Sequence, residues 1–197
     1  MKIDMQLIQQ LRERTGVGMM DCKKALEATG GDLEKAVEIL RKKGADIAQK
    51  RSGNAIAEGI IHAYIHPGAQ LGVMLEINCE TDFVAQNSAF TDFAQGLGMH
   101  IAALNPLFLS PEDVDQNYLA KEKSLMREQL EEQGKKGDFI DKIIEGKVKK
   151  LYEEVCLLQQ KFVKNDKLTV DDVLKELIAK VGENIRIRRF VRYQIGV

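Results

Sequence analysis

Cysteine is scarce in this chain: Cys22, Cys79 and Cys156 are three of 197 residues, far apart and without a C-x-x-C spacing. An odd, dispersed set argues against a disulfide framework or a structural zinc site and points to reduced thiols in a cytosol-like compartment. Excess charge of either sign is lacking too. Lys plus Arg is 29, Asp plus Glu is 30, and the pI is about 6.3. A dedicated nucleic-acid binder carries a basic footprint, so direct nucleic-acid binding is not expected, although a local basic patch is compatible with these totals. No apolar run approaches the roughly 18 residues of a membrane span. The first residues, M-K-I-D-M-Q-L-I-Q-Q-L, are broken by polar side chains and form neither a signal peptide nor a transit peptide. With 44% hydrophobic and 30% charged residues, the composition is that of a soluble globular protein. The length suits one medium domain or two small ones with a real core.

Catalytic patterns are missing as well. No G-x-x-x-x-G-K-[ST] loop occurs, and G-V-G-M (16–19) follows a predicted helix rather than a strand, which removes it as a dinucleotide fingerprint. His62 and His66 fall on a predicted strand, where a spacing of four residues separates them by roughly 13 Å. Shared metal ligation is therefore not expected. Nothing in the spacing supports a Cys79/His nucleophile. The acids interleave with lysines as ordinary i,i+4 helix partners. The expectation is a protein that is not an enzyme, binds no metal or cofactor, and acts through its surfaces.

What is present is an ordered set of helix and strand signals. Asp4 can cap a first helix with Met5, Ile8 and Leu11 on one stripe, broken by T-G-V-G (15–18). Asp21 can cap a second helix with Cys22, Ala25 and Leu26 inward, and Asp32 a third, with Leu33, Val37 and Leu40 apolar and Gly44 as the stop. Met19 and Met20 fall in the loop before the second helix; adjacent residues cannot both face a core, so at least one is expected at the surface. The polar stretch 48–58 reads as a linker. G-I-I-H-A-Y-I-H (59–66) and L-G-V-M-L-E-I-N (71–78) then read as a hairpin around Pro67-Gly68.

Ser88 can cap a helix to about Leu104, with Phe93, Leu97, Ile101 and Leu104 on one face. S-P-E-D (110–113) signals another helix start. Residues 113–158 read as two helices folded back on each other around G-K-K-G (134–137). T-V-D-D (169–172) opens a last helix, ended by G-E-N (182–184). In the closing strand (185–195), strict alternation puts Arg186, Arg188 and Arg192 on one face, either solvated and salt-bridged or contacting phosphate. The fold class expected is α+β. A three-helix module (1–45) is followed by a linker (46–58) and an α+β core (59–197) with a small antiparallel sheet and a helical hairpin.

C-E-T-D-F-V (79–84), where a strand gives way to a helix, is the junction that chemistry alone leaves open. Thr81 or Asp82 can be an ordinary cap with Val84 packed inward, and Phe83 either an ordinary core residue or one pushed outward to act on a partner.

The stretch 16–44, G-V-G-M-M-D-C-K-K-A-L-E-A-T-G-G-D-L-E-K-A-V-E-I-L-R-K-K-G, resembles a ubiquitin-associated (UBA) bundle. More closely, it is similar to the amino-terminal module of the elongation factor Ts family, the guanine-nucleotide exchange factors of elongation factor Tu. The likeness continues through A-E-G-I-I (57–61), E-I-N-C-E-T-D-F-V-A (76–85), M-H-I-A (99–102), E-G-K-V-K-K (145–150) and G-E-N-I-R-I-R-R-F (182–190). It implies nucleotide exchange without a nucleotide site on the factor itself. It further implies that Asp82 and Phe83, with Thr81 and Val84 beside them, enter the GTPase near its magnesium and phosphate region. Met19, Met20 and Lys23 would grip the GTP-binding domain, and Tyr64 and His66 would be a further contact. Partners would be elongation factor Tu, GDP-bound and nucleotide-free, in a cytoplasm of bacterial type or in an organelle with its own genome.

Two departures stand out. One G-E-N stretch rather than two resembles the family's short form, which implies a homodimer joined through the core sheet. The family's Q-P-F-V reads Q-K-F-V here (160–163). Readings from other classes are a UBA-type adaptor working through residues 1–45 alone, and an RNA binder using the arginine strand.

Overall fold

The computed structural model describes residues 3–135 and 139–196. Helix α1 (Met5–Thr15) opens on Asp4, whose carboxylate accepts the Gln6 amide. Helix α2 (Met19–Ala28) follows, and α3 (Leu33–Arg51) opens on Asp32, which accepts the Lys35 amide. Their shared interior is Ile8, Leu11, Cys22, Ala25, Leu26, Ala36 and Leu40, the i, i+3, i+4 faces of amphipathic segments too short to stand singly. Met5 lies outside this stripe and is exposed. The α2 cap is Gly18; Asp21 sits in the first turn instead, where a carboxylate still favours the positive end of the helix dipole.

Strands β1 (Glu58–Ile65) and β2 (Leu71–Cys79) form the expected antiparallel hairpin. The Ala69 amide donates to the His66 carbonyl at 2.9 Å and Gly68 takes φ +93°, so Pro67 and Gly68 are the central pair of a type II turn. One helical turn, α4 (Asp82–Ala85), leads into α5 (Ser88–Leu104), which is capped by Asn87 rather than Ser88: the Asn87 side chain accepts the Ala89 amide. Phe93, Leu97 and Ile101 are buried as expected, whereas Leu104, the last residue before the Asn105 cap, is exposed.

S-P-E-D forms a short 3-10 turn at Pro111–Asp113, and the helix it announces, α6 (Gln116–Glu132), starts three residues later on an Asp115 cap. Helix α7 (Phe139–Val155) packs back on α6 through a separate apolar cluster that includes Leu119, Leu130, Ile140, Ile144 and Leu151. Of the G-K-K-G interruption, residues 136 and 137 lie outside the described residues. A two-stranded ribbon of β3 (Lys161–Phe162) and β4 (Asn165–Thr169) precedes α8 (Val170–Val181), where Thr169 and Asp172 make a capping box. Lys161, which replaces the proline of the family pattern, lies in β3 opposite Thr169.

The last strand, β5 (Ile185–Gln194), pairs antiparallel with β2, giving the order β1-β2-β5. Helices α5 and α8 cover one face, and Val73, Leu75, Ile77, Phe90, Leu97, Ile101, Leu177 and Ile187 fill the space between. The architecture is α+β: amino-terminal helices, then a small antiparallel sheet layered with helices.

Two further expectations fail, for identifiable reasons. Gly44 does not stop α3, which continues to Arg51. A Cβ on Gly44 would sit 3.1 Å from Ala179 Cβ, so this glycine marks the close crossing of α3 with α8. Strict alternation also fails in β5. Ile187 opposes Ile77 while Arg189 opposes Glu76, so Arg188 is the extra residue of a β-bulge and the phase of the strand changes there. Arg192 consequently turns to the helix-covered face, where its Nε donates to the Ala102 carbonyl at 3.3 Å. It does not share a face with Arg186.

Candidate functional site

β2 ends in a buried cysteine, and burial, with the Glu183 carboxylate nearby, pushes the Cys79 thiol up. Cys156 is likewise buried, its pKa raised to about 11. Both thiols are therefore protonated near neutrality and are poor nucleophiles. The chain then makes the one-turn helix α4. Thr81 is its cap: its hydroxyl donates to Glu183 Oε1 at 2.7 Å and accepts the Val84 amide at 3.4 Å, while its own amide donates to Glu183 Oε2 at 3.1 Å. The Cys79 thiol donates to the Thr81 carbonyl at 3.1 Å. Every polar group of Thr81 is thus engaged.

This arrangement settles which neighbours face inward. Val84 and Ala85 are buried against the main core, and a one-turn helix that buries its third and fourth residues presents its first two. Asp82 is exposed, and Phe83 is 83% exposed, the most exposed of the large apolar side chains among the described residues. A phenylalanine gains about 1.5–3 kcal/mol on full burial. The isolated chain leaves that gain unrealised at Phe83.

The other candidates fall in separate places. Met19 and Met20 form the first turn of α2 rather than a loop, and both are exposed, at 42% and 65%. Lys23 is on the same helix, its ammonium 3.8 Å from Glu27. The Tyr64 hydroxyl and His66 Nδ1 are 3.0 Å apart at the hairpin tip. That tip lies at the Leu71 end of β2, the opposite end from Cys79, roughly 27 Å along the strand. Thr81, Asp82 and Phe83 lie together on one turn with Val84 packed beneath them, and His66 does not join them.

The arginine strand is occupied by partners. Arg186 donates to the Ser52 carbonyl at 3.4 Å, Arg189 pairs with Glu76 at 2.7 Å, and Arg188 lies 4.0 Å from the same carboxylate. The cleft of about 340 Å³ between α1, α3 and α8 is lined by Arg14, Arg41 and Lys175, which pair with Glu34, Glu176 and Asp171. The three cations of the cleft are thus each paired with a carboxylate, and on the strand Arg189 is paired in the same way. Among the described residues no group of three His, Cys, Asp or Glu side chains converges as a metal site, and no helix is long and apolar enough to cross a membrane.

Two features escaped the sequence reading at residue level. The first is the role of Glu80, Glu183 and Asn184 around the Phe83 turn. Glu80 accepts the Asn184 amide at 2.6 Å, and this bond above all, helped by Asn54 and Arg51, holds the Glu80 carboxyl below the usual glutamate range against the opposing effect of burial. The signal was present in E-T-D-F and G-E-N, each an acid beside a strand end. The second is the composition of the uncovered sheet face. Ile61, Ala63, Ile65, Met74, Val191 and Tyr193 occupy opposed positions of three adjacent strands and all are exposed.

Comparison with known proteins places these observations. The family model described as Elongation factor TS matches residues 19–197. The chain is 52% identical over 194 residues to the elongation factor Ts of Carboxydothermus hydrogenoformans, covering 98% of this chain and 89% of that protein. It is 50% identical over 194 residues to that of Desulfosudis oleivorans, 98% of each chain being covered. To that of Syntrophobacter fumaroxidans it is 49% identical over 196 residues, covering 100% of this chain and 98% of the other.

Proposed function

Because this chain belongs to the elongation factor Ts family, we propose that it is the guanine-nucleotide exchange factor for elongation factor Tu. In this role it acts in protein synthesis by accelerating GDP release and so allowing GTP to reload. The observation that carries the reading is the exposed Phe83, held on a turn whose cap, Thr81, has all its polar groups engaged. An apolar ring kept out of its own core has its burial energy available for a partner.

The mechanism is linkage. A factor that binds nucleotide-free GTPase more tightly than the GDP-bound form weakens GDP by the same factor. Phe83, with Asp82 beside it, enters between elements that shape the magnesium and phosphate region of the GTPase, and these contacts exist only when that region is displaced. Thr81 and Val84 fix the direction of entry. Met19, Met20 and Lys23 supply a second grip on the GTP-binding domain; methionine adapts to irregular surfaces. His66 is a third, separate contact. No covalent step, metal or cofactor on the factor is needed.

The open sheet face supports a homodimer. Six exposed apolar or aromatic side chains on three adjacent strands form a continuous surface of the kind that packs sheet on sheet about 10 Å apart. The place of action is the cytoplasm of a bacterium, or an organelle that retains its own elongation factor.

The test is stopped-flow release of fluorescent GDP from elongation factor Tu. The chain accelerates release severalfold or more, with a rate that saturates in factor concentration. No acceleration at any concentration refutes the reading.

A further inference from the structure

Pairing of β2 with β5 ends at Cys79 opposite Ile185. Beyond this last pair, two carboxylates cross. Glu80, which follows Cys79, accepts the amide of Asn184, and Glu183, which precedes Asn184, accepts the amide of Thr81. Each glutamate thus takes the backbone N–H of the residue that follows the other. Hydrogen bonds to charged acceptors are worth roughly twice neutral ones, and a crossed pair resists both sliding and opening of the two strand ends.

The same cluster reaches the amino-terminal helices. Arg51, the last residue of α3, donates to both oxygens of Glu80 at 3.3 Å, and Asn54 donates to Glu80 Oε2 at 3.0 Å. The buried side chain of Asn184 donates back to the Asn54 carbonyl at 3.1 Å. Both Glu80 oxygens and both Glu183 oxygens are therefore used, one carboxylate on the Phe83 turn and the other on the end of α3. Helix α3 also crosses α8 closely at Gly44 and Ala179, and Gly182, the C-cap of α8, immediately precedes Glu183.

We infer that Glu80, Glu183 and Asn184 form a positioning clasp that sets the Phe83 turn relative to α3, so that Phe83 and the methionine-bearing helix α2 meet the GTPase as one rigid unit. The inference rests on the exchange reading for its functional consequence. The three residues touch no nucleotide; they act through Phe83 and through α3. A displacement of about 1 Å in a positioned group costs up to 10²-fold in rate, which makes a clasp of this kind worth having.

The experiment uses the full chain with Glu183→Gln and Glu80→Gln, each alone and combined with Phe83→Ala. The glutamines keep side-chain shape but place an amide where both oxygens accept. The maximal rate of GDP release from elongation factor Tu falls about tenfold with either glutamine. In the Phe83→Ala background either glutamine costs far less, because the principal contact that the clasp positions is already gone.

A role in general stability predicts instead equal losses in both backgrounds, and that result overturns the inference. Amide hydrogen exchange on the free chain gives a second readout that does not depend on the GTPase. Exchange at Thr81 and Val84 quickens about tenfold or more in Glu183→Gln; if that variant folds poorly, Thr81→Val, which removes the hydroxyl that holds both Glu183 and the Val84 amide, quickens exchange at Val84. Unchanged exchange overturns the clasp. A wild-type chain that fails to accelerate GDP release sinks the exchange reading, while amide exchange still decides the clasp.

Discussion

Replacing Phe83 by alanine removes a ring that is 83% exposed, so the folded chain loses almost no packing. Surface changes of this kind stay within about 0.5 kcal/mol, and for a chain of this size 1 kcal/mol moves Tm by about 2–4 °C. The melting temperature is therefore expected to shift by no more than about 2 °C. Binding is different. If the ring is buried in the GTPase only when the nucleotide site is distorted, its burial of about 1.5–3 kcal/mol is spent in the release step. That energy corresponds to a fall of roughly 10- to 150-fold in the maximal rate of GDP release.

Phe90 is the control. It is fully buried in the main core, and Phe90→Ala costs about 3–5 kcal/mol of stability. Calorimetry should show a Tm drop of roughly 6–20 °C. Stopped-flow release with fluorescent GDP and differential scanning calorimetry on both variants decide the matter. Full exchange activity in Phe83→Ala refutes the wedge; a large loss of Tm in that variant refutes the placement of the ring.

Two further outcomes are expected. Met74 lies on the open sheet face and is half exposed, so Met74→Glu leaves the protomer folded, but in a dimer it places a carboxylate between two apolar sheets. An uncompensated buried charge costs several kcal/mol, and sedimentation velocity is expected to give a dimer for the native chain and a monomer for Met74→Glu; equal sedimentation of the two removes this face as the interface. His100 is buried, its Nδ1 accepting the Val163 amide at 3.1 Å and its Nε2 donating to Gln160 at 2.9 Å, and burial holds its pKa below the ordinary value. The neutral ring favours the fold, so its stabilisation is complete above about pH 6.5 and is lost as pH falls through the lowered value. The Tm of the native chain should fall more steeply between about pH 7.5 and pH 5.5 than that of His100→Gln; identical slopes contradict this.

The elements were legible where local chemistry decides them. Asp4, Asp32 and Thr169 cap helices as their side chains suggest, and Pro67-Gly68 makes the hairpin turn. What escaped depends on contacts far along the chain. Gly44 carries a helix-stop signal, but the approach of Ala179, more than a hundred residues away, decides its role. Arg192 leaves the face of Arg186 because β5 carries one residue more than β2 can match, a register fact that alternation within one strand cannot reveal.

The partner-binding candidates divide in the same way. The exposure of Phe83 follows from which neighbours bury, Val84 and Ala85, and a four-residue string alone does not determine that. The resemblance singled out Phe83, and the fold supplies a physical reason for its exposure. The resemblance also picked out G-E-N as a marker, but its second and third residues belong to the support of the Phe83 turn. That role becomes visible only when β2 and β5 are side by side.

The central claim is differential affinity, and titration calorimetry measures it directly. The chain is titrated into nucleotide-free elongation factor Tu and, separately, into the GDP-bound form. The account predicts tighter binding to the nucleotide-free form, by the same factor by which saturating chain weakens GDP. Equal affinity for the two forms would contradict it.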